Sequence, residues 1–357
     1  MKSGMMLMKP VFAALAVMAL LFQGCSNLRQ DTNDGSDART DYWDFSNRDD
    51  QFTGGIKMIP IFTPKGEFKV WTKRVGNNPD VKVLLLHGGP GGTHEAFLCF
   101  DGYFPAEGIE YIYYDQLGSY YSEQPSDTSL WSLDRFVEEV EQVRIALNLD
   151  QSNFYLLGQS WGGILAMEYA LKYQEKMKGL IISNMMSSVP EYNQYAQEVL
   201  GPQMNPAVYK EIKEIEANSD FSNPRYMELL MNHYYPEHLL RMPIEMWPEA
   251  VNRAFKHMNT EVYIYMQGYS EFGITGDAAL KNWDRKAALS SISVPTLVIG
   301  ATYDTMDPEH MEWMSREVQN GRFLLCPHGS HLSQYDDQKV YFTGLISFIK
   351  DVDKNTF

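Results

Sequence analysis

The chain has 357 residues and a formal net charge of −16, from 30 Lys and Arg against 46 Asp and Glu. No stripe rich in Lys and Arg runs along it, which argues against nucleic acid as a partner. The three cysteines and eight histidines show no spacing typical of a zinc site. We therefore expect neither a metal nor a cofactor.

The N-terminus predicts a lipoprotein signal, residues 1–24, that is not part of the fold. Two lysines precede a short apolar run, residues 11–22, which is too short for a comfortable membrane span. Cys25 then resembles the lipid-bearing cysteine of bacterial lipoproteins, with an ordinary secretory signal as the alternative. We expect lipid on Cys25, a flexible polar tether over residues 25–48, and a place in the bacterial cell envelope, periplasmic or outer membrane.

Strands and helices alternate over most of the remaining chain. The predicted strands are 56–61, 68–75, 81–86, 111–114, 153–157, 179–183, 295–301 and 323–326, and the predicted helices are 133–147, 163–174, 308–318 and 340–352. This alternation predicts an α/β fold with a mostly parallel, doubly wound sheet. Residues 186–283 interrupt it and are rich in Tyr, Met, Glu and Asn. We expect them to form a helical cap inserted between core segments 49–185 and 284–357.

Two cysteines remain after the signal. Cys99 and Cys326 are able to pair in an exported chain, but both lie among apolar residues. That setting favours two buried thiols over a disulfide.

The segment 156–163, LLGQSWGG, places a G-x-S-x-G pattern between a predicted strand and a predicted helix. This is the setting of a nucleophile elbow, in which small neighbours such as Gly158 and Gly162 let strand and helix approach closely. The hydroxyl of Ser160 would then lie at a helix N-terminus, where the dipole favours developing negative charge. An ordinary tight turn is the alternative, so the rest of the chain decides the matter.

A serine nucleophile needs a base, and the base needs an orienting acid. In α/β-hydrolases they follow in the order Ser, Asp or Glu, His. Asp304 and His331 each follow a predicted parallel strand, at the edge of the sheet where sites gather. Asp307 competes with Asp304 but precedes a proline like a helix N-cap, and His328 competes with His331, which lies further into its loop. We expect Ser160 as nucleophile, Asp304 as orienting acid and His331 as general base.

An oxyanion hole requires two N–H donors. The backbone N–H of Trp161, directly after the nucleophile, supplies one. The loop at 87–92, HGGPGG, follows a predicted strand, and we expect the N–H of Gly89 as the second donor. The loop has none of the glycine patterns that bind phosphate.

The chain resembles the proline iminopeptidase family, the α/β-hydrolase serine aminopeptidases that include the archaeal tricorn-interacting type. Five segments carry the resemblance: HGGPGG at 87–92, YYDQLGSYYS at 113–122, GQSWGG at 158–163, GATYD at 300–304 and GSHL at 329–332. It spans residues 55–355 and implies an α/β-hydrolase fold with Ser160, Asp304 and His331 as the triad.

The resemblance also reaches the expected cap, where residues 270–276 read SEFGITG. In the tricorn-interacting relatives a glutamate in this stretch holds the free α-amine of the substrate, which implies that role for Glu271. A carboxylate in a partly closed pocket pairs with an ammonium and rejects blocked N-termini. A solvated surface glutamate is the alternative.

Three positions depart from the family pattern. The family motif DQRGxGxS has Leu117 in place of its arginine and Tyr120 in place of its second glycine. The relatives often have a second acidic residue where this chain has Thr305, which leaves strict aminopeptidase activity and proline preference open. Five cap aromatics fit either a pocket for the first residue or the core of the cap: Tyr226, Tyr234, Tyr235, Trp247 and Tyr265.

The sequence thus predicts a membrane-tethered serine hydrolase that releases N-terminal residues, proline among them, from short peptides. An esterase or amino-acid amidase with the same triad is the first alternative, because the cap alone sets selectivity. A lipoprotein that binds peptides without turnover is the second, although a complete triad argues against it. The expected partners are a short peptide, or an amino-acid amide or ester, and a membrane reached only through lipid on Cys25.

Overall fold

Residues 42–357 are described by the structure, a computed structural model. The predicted signal and the lipidation at Cys25 lie outside these residues. No helix within the described range is both long enough and apolar enough to cross a bilayer.

One eight-stranded sheet forms the centre of the fold. Its strands are β1 (Ile56–Thr63), β2 (Gly66–Val75), β3 (Lys82–Leu86), β4 (Glu110–Asp115), β5 (Phe154–Gln159), β6 (Gly179–Ser183), β7 (Thr296–Ala301) and β8 (Gly321–Cys326). Their spatial order is β1-β2-β4-β3-β5-β6-β7-β8. The β1–β2 and β2–β4 pairs are antiparallel and all the other pairs are parallel. The predicted mostly parallel sheet with an opening hairpin is confirmed.

Helices fall into a group on the sheet and a group between β6 and β7. Those on the sheet are α1 (Leu133–Ala146), α2 (Trp161–Tyr173), α10 (Pro308–Glu317), α11 (Ser333–Asp336) and α12 (Gln338–Asp353). Those between β6 and β7 are α3 (Val189–Tyr195), α4 (Gly201–Gln203), α5 (Pro206–Ala217), α6 (Pro224–His233), α7 (Tyr235–His238), α8 (Glu249–Lys256) and α9 (Thr260–Gln267). The second group lies inside the residues assigned to the cap by the sequence.

Shorter turns of helix connect these elements. The 3₁₀ turns are Gln51–Thr53, His94–Gly102, Pro105–Glu107, Thr128–Leu130, Gln174–Lys176, Ile244–Met246 and Lys286–Ser291, and a π-helical stretch spans Ala196–Leu200. The segment His94–Gly102 matters most for the site, because it directly follows the glycine-rich loop.

The sheet is buried on both faces, because its side chains alternate between two apolar layers. Leu84 and Leu156 pack in the layer with α1, α2 and α10. Leu85 and Leu157 pack in the layer with α12. Burial on both faces explains why these strands read as continuous apolar runs. A third apolar cluster lies within the cap.

The end of the predicted tether differs from expectation. Tyr42 donates a hydrogen bond of 2.9 Å to the carbonyl oxygen of Ile109, and Arg48 donates one of 2.7 Å to that of Gly76. Residues 42–48, placed in the tether by their polar composition, therefore contact the core. Few apolar residues are needed for this attachment, because it rests on hydrogen bonds to backbone groups.

The two cysteines of the described range are free thiols. Cys326 is buried and Cys99 is half-buried. Burial raises the pKa of the Cys326 thiol to about 12, which keeps the group protonated.

Candidate active site

Ser160 occupies the sharp turn between β5 and α2. Its backbone has φ 56° and ψ −124°, a conformation that L residues rarely adopt. A Cβ at Gly158 would lie 1.9 Å from the carbonyl oxygen of Gly162, and one at Gly162 would lie 2.1 Å from that of Leu86. Only glycine fits at either position. The strained serine and its two glycines have the geometry that the elbow pattern predicts.

Asp304 and His331 meet in the structure at the carboxyl edge of the sheet. Nδ1 of His331 lies 2.8 Å from Oδ1 of Asp304, and Asp304 is fully buried. This bond fixes the proton on Nδ1 and leaves Nε2 as the basic nitrogen. The competing residues lie elsewhere: Asp307 caps α10 by accepting the N–H of Glu309 at 2.9 Å, and His328 is exposed.

The Asp304 carboxylate has a further partner that the sequence did not reveal. Nδ2 of Asn184 donates to its Oδ2 at 2.7 Å and to the carbonyl oxygen of Ser330 at 3.2 Å. Asn184 has φ 54° and directly follows β6, at the same sheet edge as the other site residues. The sequence offered one indication of this role, an asparagine directly after a buried strand. Asparagine tolerates the positive φ that a sharp turn there requires.

Thr305 also touches the histidine pair. Its hydroxyl oxygen lies 3.0 Å from Nδ1 of His331 and donates to Oδ1 of Asp304 at 3.3 Å. Thr305 occupies the position of the family's second carboxylate, and its hydroxyl contacts both Asp304 and His331.

Ser160 and His331 line the same cavity of about 410 Å³ between the core and the cap. Gly89, Trp161 and Glu271 contribute to the same wall. Nε2 of Gln159, the residue before the nucleophile, donates to the carbonyl oxygen of His331 at 3.1 Å and ties the two loops together. Asp304 lies behind His331, outside the lining.

The glycine-rich loop approaches the nucleophile closely. A Cβ at Gly88 would lie 3.0 Å from Cβ of Ser160, and Gly89 has φ 42°. Trp161 is the first residue of α2, so its N–H has no partner within the helix. The N–H of Trp161 and the loop that carries Gly89 thus both lie beside Ser160, where an oxyanion hole requires its donors.

Gln116 connects the glycine-rich loop, through His87, with Trp161. Its N–H donates to Nε2 of His87 at 3.2 Å, and its Oε1 accepts from the indole N–H of Trp161 at 2.9 Å. Burial lowers the pKa of His87 to about 4, so the ring is neutral and Nε2 is free to accept. The sequence placed Gln116 in a motif, but its contacts depend on loops distant along the chain.

Glu271 is half-buried and is surrounded by tyrosine hydroxyls. Tyr263 donates to its Oε1 at 3.1 Å, and the hydroxyl of Tyr235 is a second group that lowers the pKa of this carboxylate. Tyr192 donates to its carbonyl oxygen at 3.1 Å. Burial raises the pKa of Glu271, while the two tyrosine hydroxyls and the nearby His331 oppose the rise. The prediction of a solvated surface glutamate is therefore the weaker one.

The five cap aromatics divide between the two roles left open by the sequence. Tyr226 and Tyr235 line the cavity and also belong to the apolar cluster of the cap. Tyr234 and Trp247 belong to that cluster but do not line the cavity, and Tyr265 is 41% exposed.

The two motif departures have separate explanations. Leu117 is a buried core residue. Tyr120 has φ 28°, in the region that favours the glycine of the family motif, and its ring stacks on His257 of the cap at 4.2 Å. This contact joins the loop after β4 to the cap.

Within residues 42–357, no group of three or more His, Cys, Asp or Glu side chains is placed to hold a metal ion. Ser160, Trp161 and His331 lie in the cavity wall, and Asp304 supports His331 from behind it.

Comparison with known proteins identifies the fold and the family of the chain. Residues 82–338 match the family of the alpha/beta hydrolase fold. The chain is 62% identical over 295 residues to the proline iminopeptidase of Flavobacterium johnsoniae, covering 83% of this chain and 98% of that protein. It is 60% identical over 300 residues to that of Elizabethkingia meningoseptica, covering 84% and 100%. The crystal structure of a Mycobacterium smegmatis proline iminopeptidase has the same fold, with a TM-score of 0.75 at 24% identity over 85% of this chain and 100% of that one. The chain belongs to the proline iminopeptidase family of α/β-hydrolases.

Proposed function

We propose that this protein is a serine aminopeptidase that releases the N-terminal residue, proline included, from short peptides. The observation that carries the proposal is the 2.8 Å contact between Nδ1 of His331 and Oδ1 of Asp304, beside a cavity that Ser160 and Glu271 both line. Close relatives bearing the name proline iminopeptidase support the reaction class.

In the acylation step, Oγ of Ser160 attacks the carbonyl carbon of the first residue while Nε2 of His331 takes its proton. Asp304 stabilises the imidazolium that forms. The carbonyl oxygen becomes an oxyanion and accepts hydrogen bonds from the N–H groups of Trp161 and Gly89. The imidazolium then protonates the departing amine, and the shortened peptide leaves the first residue as an ester on Ser160.

In the deacylation step, His331 takes a proton from a water molecule as that water attacks the ester carbonyl carbon. The second tetrahedral oxyanion uses the same two donors. Collapse returns the proton to Oγ of Ser160 and releases the free amino acid. Every proton transfer in the cycle passes through His331, and water is the co-substrate of the second step.

Glu271 limits the substrate to peptides with a free N-terminus. Its carboxylate pairs with the substrate ammonium in the cavity wall, where a charge-assisted hydrogen bond is strong. An acylated N-terminus has no charge to offer and leaves the carboxylate without a cationic partner, which disfavours endopeptidase activity.

The test is kcat/KM over matched prolyl, alanyl and leucyl arylamides, an N-acetylprolyl control and a short-chain ester. The proposal predicts turnover of free-amine arylamides with prolyl among the best, and little turnover of the N-acetyl compound. Ester turnover alone would assign the protein to the esterases. Binding of a peptide without any turnover would make it a non-catalytic binder.

We also propose that lipid on Cys25 attaches the protein to the cell envelope. The support is the basic, apolar and cysteine-bearing pattern of residues 1–25. Metabolic labelling with a radioactive fatty acid should label the full chain and leave the Cys25→Ser variant unlabelled. Equal labelling of both chains would contradict the anchor.

A further inference from the structure

One face of the sheet is exposed at its β1 end. Ile56, Met58, Pro60 and Phe62 alternate along β1 with more buried residues and share this face. Met58 is 41% exposed and Phe62 is 67% exposed. Trp71, the partner of Met58 on β2, is buried in the apolar layer that includes α12. The four side chains therefore extend a buried apolar layer past its cover, and a contiguous apolar row of this kind marks an interaction surface.

The backbone edge of β1 is closed to another strand. The N–H of Phe62 donates to Oε1 of Gln142 at 2.7 Å, and its carbonyl oxygen accepts from Nε2 of the same side chain at 3.0 Å. The hydroxyl of Thr53 donates to the carbonyl oxygen of Ile56, and Pro60 has no N–H to offer. Natural proteins protect sheet edges in such ways. A partner of this surface therefore contacts side chains, which disfavours a second copy joined strand to strand.

The hairpin formed by β1 and β2 is opposite in charge to the chain as a whole. Residues 56–75 hold five basic residues and one acidic residue, in a chain whose formal net charge is −16. Lys69 and Lys73 pair with residues of the exposed face of β1 and therefore share it, with Glu67 at its turn end. The other three basic residues form ion pairs with Asp49, Asp127 and Glu110. An apolar row flanked by lysines complements an anionic surface that has an apolar interior.

The described residues begin beside this face. Trp43 is exposed and lines the same cavity of about 400 Å³ as Gly55 and Lys73. Between the proposed lipid site, Cys25, and Trp43 the chain spans at most about 60 Å. A lipid on Cys25 would hold the face within reach of a bilayer, and tryptophan is itself enriched at membrane interfaces.

We propose that the exposed face of β1, together with Lys69 and Lys73, docks on an anionic lipid bilayer. The apolar side chains enter the boundary between headgroups and acyl chains, and the two lysines contact anionic headgroups. This surface adds a second membrane contact to the lipid proposed on Cys25. It is independent of the proposed aminopeptidase activity, because none of its residues lines the active-site cavity.

The experiment uses a chain of residues 42–357, which omits both the apolar N-terminal run and Cys25. Close relatives matched over nearly their full length consist of about 300 residues, so a chain of this size suffices for the fold. The shortened chain keeps every strand and helix described above. Co-sedimentation measures its binding to vesicles of phosphatidylcholine, alone or with about a quarter of anionic phosphatidylglycerol. We expect binding to the anionic vesicles, weakened by added salt because salt screens surface charges.

The apolar part of the proposal is tested by Met58→Thr combined with Phe62→Thr. Threonine removes apolar surface and keeps strand propensity. Binding to the anionic vesicles should weaken by about tenfold or more. Met246→Thr in the cap is the matched control, because Met246 is as exposed as Phe62, and it should bind like the parent chain.

The charged part is tested by Lys69→Gln combined with Lys73→Gln. Binding should weaken by about tenfold, and most of the preference for anionic vesicles should be lost. Lys210→Gln, at an exposed lysine of the cap, is the control and should bind like the parent chain. The denaturation midpoint checks folding, and the glutamine pair carries the test if the threonine pair lowers that midpoint.

Two results would overturn the inference directly. One is a parent chain that sediments equally with and without anionic vesicles, and the other is binding that both double variants retain in full. Sedimentation velocity distinguishes a second copy from a bilayer. A dimer of the parent chain that the threonine pair dissociates would assign the face to self-association and would also overturn the inference.

Discussion

The indole N–H of Trp161 donates a 2.9 Å hydrogen bond to Oε1 of Gln116, whose own backbone N–H is bonded to His87 at 3.2 Å. Trp161 and the loop that His87 begins each provide one proposed oxyanion donor. A single buried glutamine thus connects the start of α2 with the loop that begins at His87.

Replacing Gln116 with leucine should lower kcat and leave KM nearly unchanged. The oxyanion exists only in the transition state, so its donors contribute mainly to kcat. We expect a loss of about tenfold to a hundredfold, somewhat less than removal of a whole donor. Steady-state kinetics on a prolyl arylamide measure it, and the exposed Gln319→Leu is the control. If KM rose by the same factor while kcat stayed unchanged, Gln116 would act on substrate binding instead.

Asn184 should act by positioning Asp304, to which it donates a 2.7 Å hydrogen bond. Asn184→Gly suits the test, because it removes the side chain and keeps the φ of 54° without strain. We expect kcat to fall by about tenfold, since one hydrogen bond to a buried carboxylate is lost. Asn184→Asp places a second carboxylate beside the first and should cost more. Wild-type kcat in both variants would exclude a positioning role.

The pH dependence should separate Glu271 from the catalytic base. Burial raises the pKa of Glu271, so its carboxylate is protonated at a higher pH than that of an ordinary glutamate. Only the charged form pairs with an ammonium, so amine binding is complete above the raised pKa and is lost as the pH falls through it. The ratio of kcat/KM for a prolyl arylamide to that for an amine-free ester cancels the pH dependence of the chemical steps that both substrates share.

Below about pH 7 the substrate amine stays charged, so a fall of this ratio with acidity reports protonation of Glu271. In Glu271→Gln it should be lower by roughly tenfold to a hundredfold and independent of pH. A flat ratio in the wild type, or a parallel decline in Glu271→Gln, would remove Glu271 from amine recognition.

Gly162 should be essential for stability as well as for activity. A Cβ there would lie 2.1 Å from the carbonyl oxygen of Leu86, which belongs to a central strand and has no room to move. Gly162→Ala should lower the free energy of unfolding by about 3 kcal/mol, at the upper end of overpacking costs. Gly102→Ala is the control, because a Cβ at Gly102 meets no atom within 4 Å. Chemical denaturation of both variants measures the difference, and equal midpoints would contradict the argument.

The fold was largely predictable because its strands are buried on both faces. Runs such as that in β3 are continuously apolar, and the alternation with helices then requires a parallel sheet. The start of α2 was placed two residues too late, because glycines weaken the helical signal at Gly162 and Gly163 although the elbow needs them there. Residues 42–48 were assigned to the tether because hydrogen bonds to distant backbone carbonyls leave no apolar pattern.

The candidate site was predictable where its residues follow strands in the order the chemistry requires. Ser160, Asp304 and His331 each do so, and the structure brings Asp304 against His331. The supporting contacts were not predictable, because Asn184 and Gln116 act through neighbours far away along the chain. The contact of Tyr263 with Glu271 was not predictable either, because the sequence of a helical cap does not show which carboxylate a tyrosine contacts.

Turnover of a prolyl arylamide by Ser160→Ala tests the central claim most directly. Serine is the proposed nucleophile, so its removal should reduce kcat by roughly a million-fold, as in other serine hydrolases that lose a triad member. Circular dichroism and the denaturation midpoint should match those of the wild type, because alanine leaves the elbow intact. A folded Ser160→Ala protein that retains wild-type turnover would contradict the account.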